Sequence, residues 1–279
     1  MKVVSVYDHF TKQDEENVIT VSRISSANCL YSYYKSYIES PKPKPDFETI
    51  EIGLGSFFHG YLENKFKEIQ AENREIQSDD IIDLDKLLTD FRLSFIWEGK
   101  LIEPYRIIRK NSTVEDYIEK LKEFGKNFNG FLRKNMTGHK IFDVEGDLEI
   151  ETDEYLIRGK YDLISRDPDG NLVLWDWKTG PAPNPKYFDD YKQKKLQLGI
   201  YAIWMGYKFP EDQIKGSVVF LKGEAKILSE KFTKEIERDV LFTLKAWRDR
   251  MNIIKGYPPK PTNLCSWCAW KSDCPAWKK

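Results

Sequence analysis

The amino-acid sequence predicts an α/β protein with a mixed central sheet flanked by helices. Two runs rich in β-branched and aromatic residues, 155–165 and 171–177, read as strands. Between them stands Asp167-Pro168-Asp169-Gly170, which has strong turn chemistry. Strand-like and helix-like runs then alternate along the rest of the chain, in the order helices, three strands, helix, strands, helix. This order fits one mixed sheet covered by helices better than an all-parallel one.

The composition is that of a soluble globular protein. The 279 residues are 41% hydrophobic and 32% charged, and no apolar run approaches the length needed to cross a bilayer. No signal peptide is visible at the N-terminus, so we expect an intracellular, cytoplasmic protein without a membrane partner. The length allows one large domain or two smaller ones, and we predict a single domain over residues 1–279 with a helical insertion.

The N-terminal part, residues 22–140, is predicted to be mainly helical. After a polar stretch that could hold a short strand or an arm, the aromatic run in 22–38 fits a helix that would carry Cys29. Apolar residues from position 54 recur every three to four residues, which places His59 near the start of an amphipathic helix entered through glycines. Residues 75–135 predict several further helices, either a cap over a cleft or a plain supporting bundle.

The remaining chain divides into an α/β core, residues 141–230, and a C-terminal part, residues 231–279. The core begins with a strand at 144–150, continues through the hairpin, and then predicts a helix at 188–207 and a strand pair at 216–221 and 225–229. The C-terminal part predicts a long polar helix at 234–254 followed by three cysteines.

The hairpin carries the residues most suited to chemistry. Asp162 lies in its first strand, whereas Asp176 and Lys178 lie near the end of the second, two residues apart and therefore on one face. Carboxylates held close together repel each other, and a divalent cation with oxygen ligands relieves that repulsion. Two unrelated surface acids on a polar hairpin would produce the same pattern.

The four cysteines are Cys29, Cys265, Cys268 and Cys274. In a cytosolic protein structural disulfides are disfavoured, so metal binding is the main explanation for the compact C-terminal trio. Zinc commonly takes paired Cys-x2-Cys knuckles, whereas the uneven spacing here, with proline after the last cysteine, fits a four-iron cluster better. Zinc and uncoordinated cysteines remain as alternatives.

The charge balance does not by itself indicate nucleic acid. A formal net charge of −1 counts mildly against binding by bulk electrostatics. A local basic groove can coexist with a neutral total, however, and a group of lysines follows the hairpin closely: Lys186, Lys192, Lys194 and Lys195.

Five motifs in order resemble the PD-(D/E)XK nuclease superfamily, and specifically its RecB-like branch. They are the segment 53–59 ending in His59, the pattern Gly159-Lys160-Tyr161-Asp162, the pattern Asp176-Trp177-Lys178, the Gln-x-x-x-Tyr pattern Gln197–Tyr201, and the four cysteines. The last resemble the iron–sulfur ligands of CRISPR-associated and helicase-linked members. The resemblance implies a restriction-endonuclease-like sheet with a C-terminal iron–sulfur staple.

The same resemblance implies roles for individual residues. Asp162, Asp176 and Lys178 would be catalytic, with Lys178 acting on the attacking water. A bound Mg²⁺ or Mn²⁺ would be held by His59, Asp162, Asp176 and the backbone carbonyl of Trp177, with Glu145 as a weaker candidate. Lys194, Gln197 and Tyr201 would place substrate.

The function so implied is that of a metal-dependent DNA exonuclease that acts on single strands or duplex ends, in repair, recombination or CRISPR spacer acquisition. No Walker A pattern is present, so a helicase or CRISPR adaptation proteins could be partners. Two alternatives remain: a non-catalytic nucleic-acid-binding or assembly subunit, and a zinc-stapled helical interaction protein whose hairpin acids are incidental.

Overall fold

The computed structural model describes residues 18–41, 43–45, 47–184, 188–254 and 256–278. The polar N-terminal stretch up to residue 17 and Lys186 lie outside these residues.

A six-stranded mixed sheet forms the centre of the molecule, as predicted. Its strands are β1 Val18–Thr20, β6 Lys140–Glu151, β7 Leu156–Arg166, β8 Leu172–Lys178, β9 Ile214–Phe220 and β10 Lys226–Lys231. The strand order is β1-β7-β8-β9-β10, with β6 paired to β7. The β8–β9 and β1–β7 pairs are parallel, and the β6–β7, β7–β8 and β9–β10 pairs are antiparallel.

The predicted hairpin is β7–β8, and its turn chemistry accounts for its geometry. The carboxylate of Asp167 accepts hydrogen bonds from the backbone and the side chain of Asn171, which closes the loop. Gly170 takes a positive φ of 89°, a conformation that favours glycine. The turn therefore sets the register in which Leu163 pairs with Trp175.

One edge of β7 is shared by two strands that leave a gap between them. Because β6 pairs with β7 from residue 156 to residue 166, except at Asp162, the other edge is left to β1, which pairs with residues 156–158, and to β8, which pairs with residues 163–166. Residues 159–162, which include Asp162, lie between these two partners. Their backbone groups therefore need partners other than a neighbouring strand.

Helices cover both faces of the sheet, and short strand pairs connect some of them. The helices are α1 Val21–Ser26, α2 Leu30–Tyr33 with a following π-helical turn Tyr34–Ile38, α3 Ile50–Ala71, α4 Leu84–Phe95, α5 Val114–Asn135, α6 Phe188–Lys208 and α7 Lys234–Ile253. The short strands are β2 Glu48–Thr49 with β5 Tyr105–Arg106, and β3 Ile96–Trp97 with β4 Lys100–Leu101; a 3-10 turn spans Asn263–Trp267.

Helices α3, α4 and α5 form a supporting layer under one face of the sheet. Their apolar residues share one core with the sheet residues Leu163, Trp175 and Trp177. Trp177 is 1% exposed, and its ring stacks on Phe66 with the ring centroids 6.0 Å apart. Residues 75–135 were predicted to form either a cap over a cleft or a plain bundle under the sheet, and this packing favours the bundle. The segment contains two helices, α4 and α5, instead of several.

Helices α6 and α7 cover the opposite face. Leu198 and Tyr201 of α6, with Leu244 of α7, pack on the alternate residues of β8 that point away from Trp175 and Trp177. Asp176 belongs to this alternate row, so it points towards α6. Within the described residues, no helix combines the length and apolar composition that crossing a membrane requires.

Two predicted helix boundaries were wrong. The helix expected over residues 22–38 is interrupted between α1 and α2, where Cys29 adopts an extended backbone with φ −125° and ψ 109° and precedes α2 instead of lying inside a helix. Helix α3 begins at Ile50, so His59 lies in its middle. Gly53, which was expected to precede the helix, lies within α3 and allows Phe95 and Tyr105 to pack against the helix backbone.

Candidate active site

Asp176 lies at the centre of the candidate site. It is 4% exposed, at the end of β8 where the sheet meets α6. Its Oδ1 accepts a hydrogen bond from the hydroxyl of Tyr201 at 2.7 Å and one from Nε2 of Gln197 at 3.2 Å. Because Gln197 and Tyr201 are four residues apart on α6, one helix face presents both donors to the same carboxylate oxygen.

The hydroxyl of Tyr201 also ties α6 to the gap along β7. It accepts from Nε2 of Gln197 at 2.7 Å and lies 3.0 Å from the backbone carbonyl of Lys160. Lys160 belongs to the segment that has no strand neighbour on this edge, and its carbonyl shares the one hydroxyl proton of Tyr201 with Oδ1 of Asp176. The Gln197–Tyr201 pair therefore positions Asp176 relative to β7 as well as to β8.

Asp162 occupies the point where the hairpin opens. Its Oδ2 accepts a hydrogen bond from the backbone N–H of Trp177 at 2.6 Å, in place of a bond between strands. Since a strand residue directs its N–H and its C=O to the same side, the carbonyl of Trp177 also faces this opening. Oδ1 of Asp162 lies 3.1 Å from Nδ1 of His59, which reaches across from α3.

The pKa of His59 is raised in this environment. Burial of the ring works against the charged imidazolium, but the hydrogen bond to Asp162 and the negative charge of that carboxylate outweigh it, and Lys178 offsets them only in part. The His59–Asp162 pair is thereby held together as an ion-pair-like contact.

Lys178 and Asp176 form a partly buried ion pair. Nζ of Lys178 lies 2.7 Å from Oδ2 of Asp176, and the lysine side chain keeps 29% of its surface exposed. Burial raises the pKa of Asp176, with Lys178 opposing the rise and Asp162 adding to it. Burial would lower the pKa of Lys178, but the charge of Asp176 and their contact raise it overall, so Lys178 is an ammonium at neutral pH.

One buried oxygen of Asp176 faces a positive charge. Oδ2 lies 2.7 Å from the ammonium of Lys178, which opposes the cost of burying this carboxylate. The groups nearby that could bind a metal are carboxylate oxygens, a backbone carbonyl oxygen and an imidazole nitrogen. This set of ligands suits a divalent cation such as Mn²⁺ or Mg²⁺. Among the residues that the structure describes, however, no three His, Cys, Asp or Glu side chains are already gathered as metal ligands.

Glu145 lies beside this site in an unusual conformation. It interrupts the β6–β7 pairing at the position opposite Asp162 and adopts a positive φ of 53°, which is strained for a residue with a side chain. Burial, with Asp162 and Glu63 adding to it, raises the pKa of Glu145. Glu63, one turn after His59 on α3, was not predicted, although its spacing of four from that histidine could have indicated it.

Of the predicted lysine group, the three members within the described residues lie on the first half of α6: Lys192, Lys194 and Lys195. Lys195 pairs with Glu230 at 2.9 Å and so faces β10. Lys194 lies one turn before Gln197 on α6, and its predicted role in placing substrate stays a prediction.

The four cysteines line one small cavity, although Cys29 is far from the others in sequence. Backbone N–H groups donate to two of the sulfurs, from Lys260 to Sγ of Cys29 at 3.5 Å and from Thr262 to Sγ of Cys265 at 3.2 Å. The hydroxyl of Tyr31 donates to the carbonyl of Asp273 at 3.0 Å, which also joins α2 to the C-terminal segment.

Two carboxylates and an ammonium at an open hairpin end, on a mixed sheet between helical layers, define an α/β protein with a site suited to a divalent cation. Residues 19–275 match the PD-(D/E)XK nuclease superfamily, and the chain belongs to that superfamily. The predicted family is thus confirmed.

Two curated relatives carry the same name, that of one subunit of an ATP-dependent helicase/deoxyribonuclease. The chain is 26% identical to the protein of Alkaliphilus oremlandii (strain OhILAs) over 288 residues and 25% identical to that of Alkaliphilus metalliredigens (strain QYMF) over 299 residues. Each match covers 94% of this chain but only 23% of the relative, so the chain spans about a quarter of their length.

Among solved structures, a candidate exonuclease from Eubacterium rectale matches with a TM-score of 0.48 and 13% identity over 95% of this chain and 97% of that one. At that similarity we infer nothing from it.

Proposed function

We propose that this chain is a metal-dependent deoxyribonuclease, an exonuclease that hydrolyses phosphodiester bonds of single-stranded DNA or of duplex ends. The observation that carries the proposal is the convergence of Asp162, Asp176 and Lys178 at the open end of the hairpin, with Oδ2 of Asp176 buried and 2.7 Å from the ammonium of Lys178. Membership of the nuclease superfamily supports the same chemistry.

His59, Asp162, Asp176 and the carbonyl of Trp177 would hold Mg²⁺ or Mn²⁺. When bound, the cation would neutralise charge on the phosphate and activate a water. The imidazole of His59 favours Mn²⁺, because Mn²⁺ accepts nitrogen ligands more readily than Mg²⁺ does. The present His59–Asp162 contact would have to loosen to free both groups for this role.

Lys178 is proposed to orient the attacking water and stabilise charge on the phosphate. Its raised pKa keeps it protonated, so it acts better as a hydrogen-bond donor than as a base. Gln197 and Tyr201 hold Asp176 in place through Oδ1, so Oδ2, which pairs with Lys178, is the oxygen proposed to face the metal. Lys194 is proposed to place substrate from the same helix.

For the cysteines we propose a structural [4Fe–4S] cluster. All four line one cavity, and backbone N–H groups point at two of their sulfurs, a common arrangement around thiolates that bind metal. Zinc is the alternative, and metal analysis with the visible absorption spectrum of anaerobically purified protein separates the two.

The names of the relatives favour a helicase as the partner of this chain, more than CRISPR adaptation proteins, because both are subunits of an ATP-dependent helicase/deoxyribonuclease. Because those names describe one subunit of a larger enzyme, the second candidate is a non-catalytic binding or assembly subunit. In that case DNA would bind but would not be cut.

The test is the degradation of end-labelled single-stranded and duplex DNA by the anaerobically purified chain, with Mn²⁺, Mg²⁺ or chelator. We expect metal-dependent shortening that is missing from Asp176→Ala, and the product ladder gives the polarity. DNA binding without cleavage under every condition would contradict the exonuclease and support the binding subunit.

A further inference from the structure

Three cations outside the site described above lie together near α5: Arg109, Lys120 and Lys222. In the part of the chain that the structure describes, none of the three forms an ion pair with a carboxylate. Arg109 and Lys222 are exposed, whereas Lys120 is half-buried, with its ammonium 3.7 Å from the centre of the Tyr117 ring. We call these three residues the cationic patch.

Specific hydrogen bonds bring Lys222 to α5. The turn between β9 and β10 is clamped on that helix, because Asn127 donates to the carbonyls of Leu221 and Gly223. The carboxylate of Glu123 accepts the N–H of Gly223 at 2.7 Å. Lys120 lies one turn before Glu123, so the clamp places Lys222 on the same helix face as Lys120.

The patch lies at the same end of the sheet as the candidate active site. Strands β8 and β9 run parallel, and Lys178 pairs with Phe220 at their carboxyl ends. The N–H of Leu221 donates to the carbonyl of Lys178 at 2.8 Å, so Lys222 is the next residue beyond the level of the catalytic lysine. Ligands of open α/β sheets commonly bind at this end of the strands.

The acids around the patch have other direct partners. Asp116 accepts the N–H of Thr113 at 2.7 Å in the capping box of α5, Glu123 holds the turn, and Glu51 accepts the hydroxyl of Tyr117. Glu119, on the same surface, lies 4.0 Å from Lys122. The pKa of Lys120 is lowered by its burial, which Glu51 and Asp116 oppose and which Arg109 and Lys222 reinforce. Clustered cations that form no direct ion pair are suited to an anionic ligand.

We propose that the cationic patch binds backbone phosphates of the nucleic-acid strand whose scissile phosphate lies at Lys178. The contacts are to phosphates and so carry no sequence preference. This inference rests on the proposed nuclease function for its substrate. Its measurable consequence is strand binding, which can be measured without cleavage.

The experiment compares the full chain with the variant Arg109→Gln/Lys120→Gln/Lys222→Gln. Binding of fluorescent single-stranded oligonucleotides is measured by anisotropy in chelator over a range of salt concentrations. Since each phosphate contact on a single strand contributes about 0.7 to the salt slope, we expect the slope to fall by about 2 and binding to weaken by about tenfold or more at low salt.

Two controls separate loss of the patch from loss of the fold. Lys140→Gln removes one exposed lysine at the opposite end of the sheet, where Lys140 pairs with Arg166, and should leave the salt slope unchanged. Arg109→Gln/Lys222→Gln spares the half-buried Lys120 and should lower the slope by about 1.4, two contacts at about 0.7 each.

Thermal unfolding shows whether the triple variant is folded. If it is not, the salt slope of the double variant, which keeps Lys120, tests the proposal. A wild-type salt slope in the folded variants would contradict phosphate binding by the cationic patch, while leaving the nuclease proposal intact. If the wild-type chain binds no DNA at all, both proposals fail. If it binds without cutting and the variants still lose slope, only the exonuclease fails.

Discussion

At the scale of single residues, the properties of Asp176 follow from its surroundings. Burial raises its pKa, and Lys178, Tyr201 and Gln197 compensate with one charge and two donated hydrogen bonds. The ionised form of Asp176 therefore depends on its neighbours. Removing any one donor should favour the protonated acid.

The hydroxyl of Tyr201 allows a direct test of this dependence. In Tyr201→Phe the hydrogen bond to the carboxylate is lost, so the pKa of Asp176 rises further. Ionised Asp176 is then formed only at higher pH, and the acidic limb of the pH–rate profile should shift upward by about one unit, the value of one such bond. At a pH well above this limb, the activity of Tyr201→Phe should be closer to that of the wild type than at a pH below it.

The matched control is Tyr207→Phe. Tyr207 lies on the same helix, but its hydroxyl binds Glu237 away from the site. The Tyr207→Phe variant should keep the wild-type pH–rate profile. Equal pH–rate profiles for Tyr201→Phe and Tyr207→Phe would contradict the role given to Tyr201.

The sequence was informative at this scale where residue identity alone matters. The pattern around Asp162, Asp176 and Lys178 pointed to one cluster, and the structure brings these residues together. The positive φ of Glu145 could not be predicted, since it depends on the β6–β7 irregularity. The resemblance placed His59 and Asp162 at one site, but their direct hydrogen bond depends on the position of α3 relative to the sheet.

At the scale of elements, α3 determines where His59 lies. Gly53 lets the helix approach its neighbours, because an added Cβ would come within 2.7 Å of Phe95 and of Tyr105. The hydrophobic periodicity identified α3 correctly but not its first turn. Glycine is a poor helix former, so its use for close packing was read as a helix start.

Two substitutions in this one helix should have opposite effects. Gly53→Ala forces aromatic rings aside, so it should lower the free energy of unfolding by about 1–3 kcal/mol. Gly60→Ala meets nothing within 4 Å and should raise stability by about 0.5–1 kcal/mol. Urea unfolding of both variants measures the difference, and equal stability would contradict the close approach at Gly53.

Two features of elements depend on long-range contacts. The aromatic run in residues 22–38 has helical character, but the chain breaks at Cys29, whose extended backbone brings its sulfur towards the C-terminal segment. Strand β1 has only three residues, yet its pairing with β7 creates the gap that holds Asp162. Local sequence patterns contain neither contact.

At the scale of the whole molecule, the cysteine cavity joins segments more than 200 residues apart. Backbone N–H donors, Tyr31 and the indole of Trp270, which donates to Ser36 at 3.1 Å, connect α2 and the following turn to the C-terminal segment. We propose that an iron–sulfur cluster in this cavity holds the α2 segment and the C-terminal segment together within one domain. Loss of the cluster should destabilise both segments together.

Cys268→Ala tests that proposal. Loss of one ligand should bleach the visible absorption of the cluster and lower Tm by about 3–5 °C, as expected for a loss of about 2–3 kcal/mol in a chain of this size. Ser266→Ala, two residues away and exposed, should change neither quantity. A Cys268→Ala protein as stable as the parent would rule out the fastening role.

The central claim is that the hairpin end formed by Asp162, Asp176 and Lys178 cuts DNA. The most direct measurement is the single-turnover cleavage rate of end-labelled single-stranded DNA at saturating Mn²⁺, for Lys178→Gln beside Lys195→Gln. Both lysines form ion pairs, at 2.7 Å and 2.9 Å, but only Lys178 lies in the site. We predict a loss of about a hundredfold or more for Lys178→Gln with DNA binding retained, and near wild-type cleavage for Lys195→Gln. Equal rates for the two variants would contradict the account.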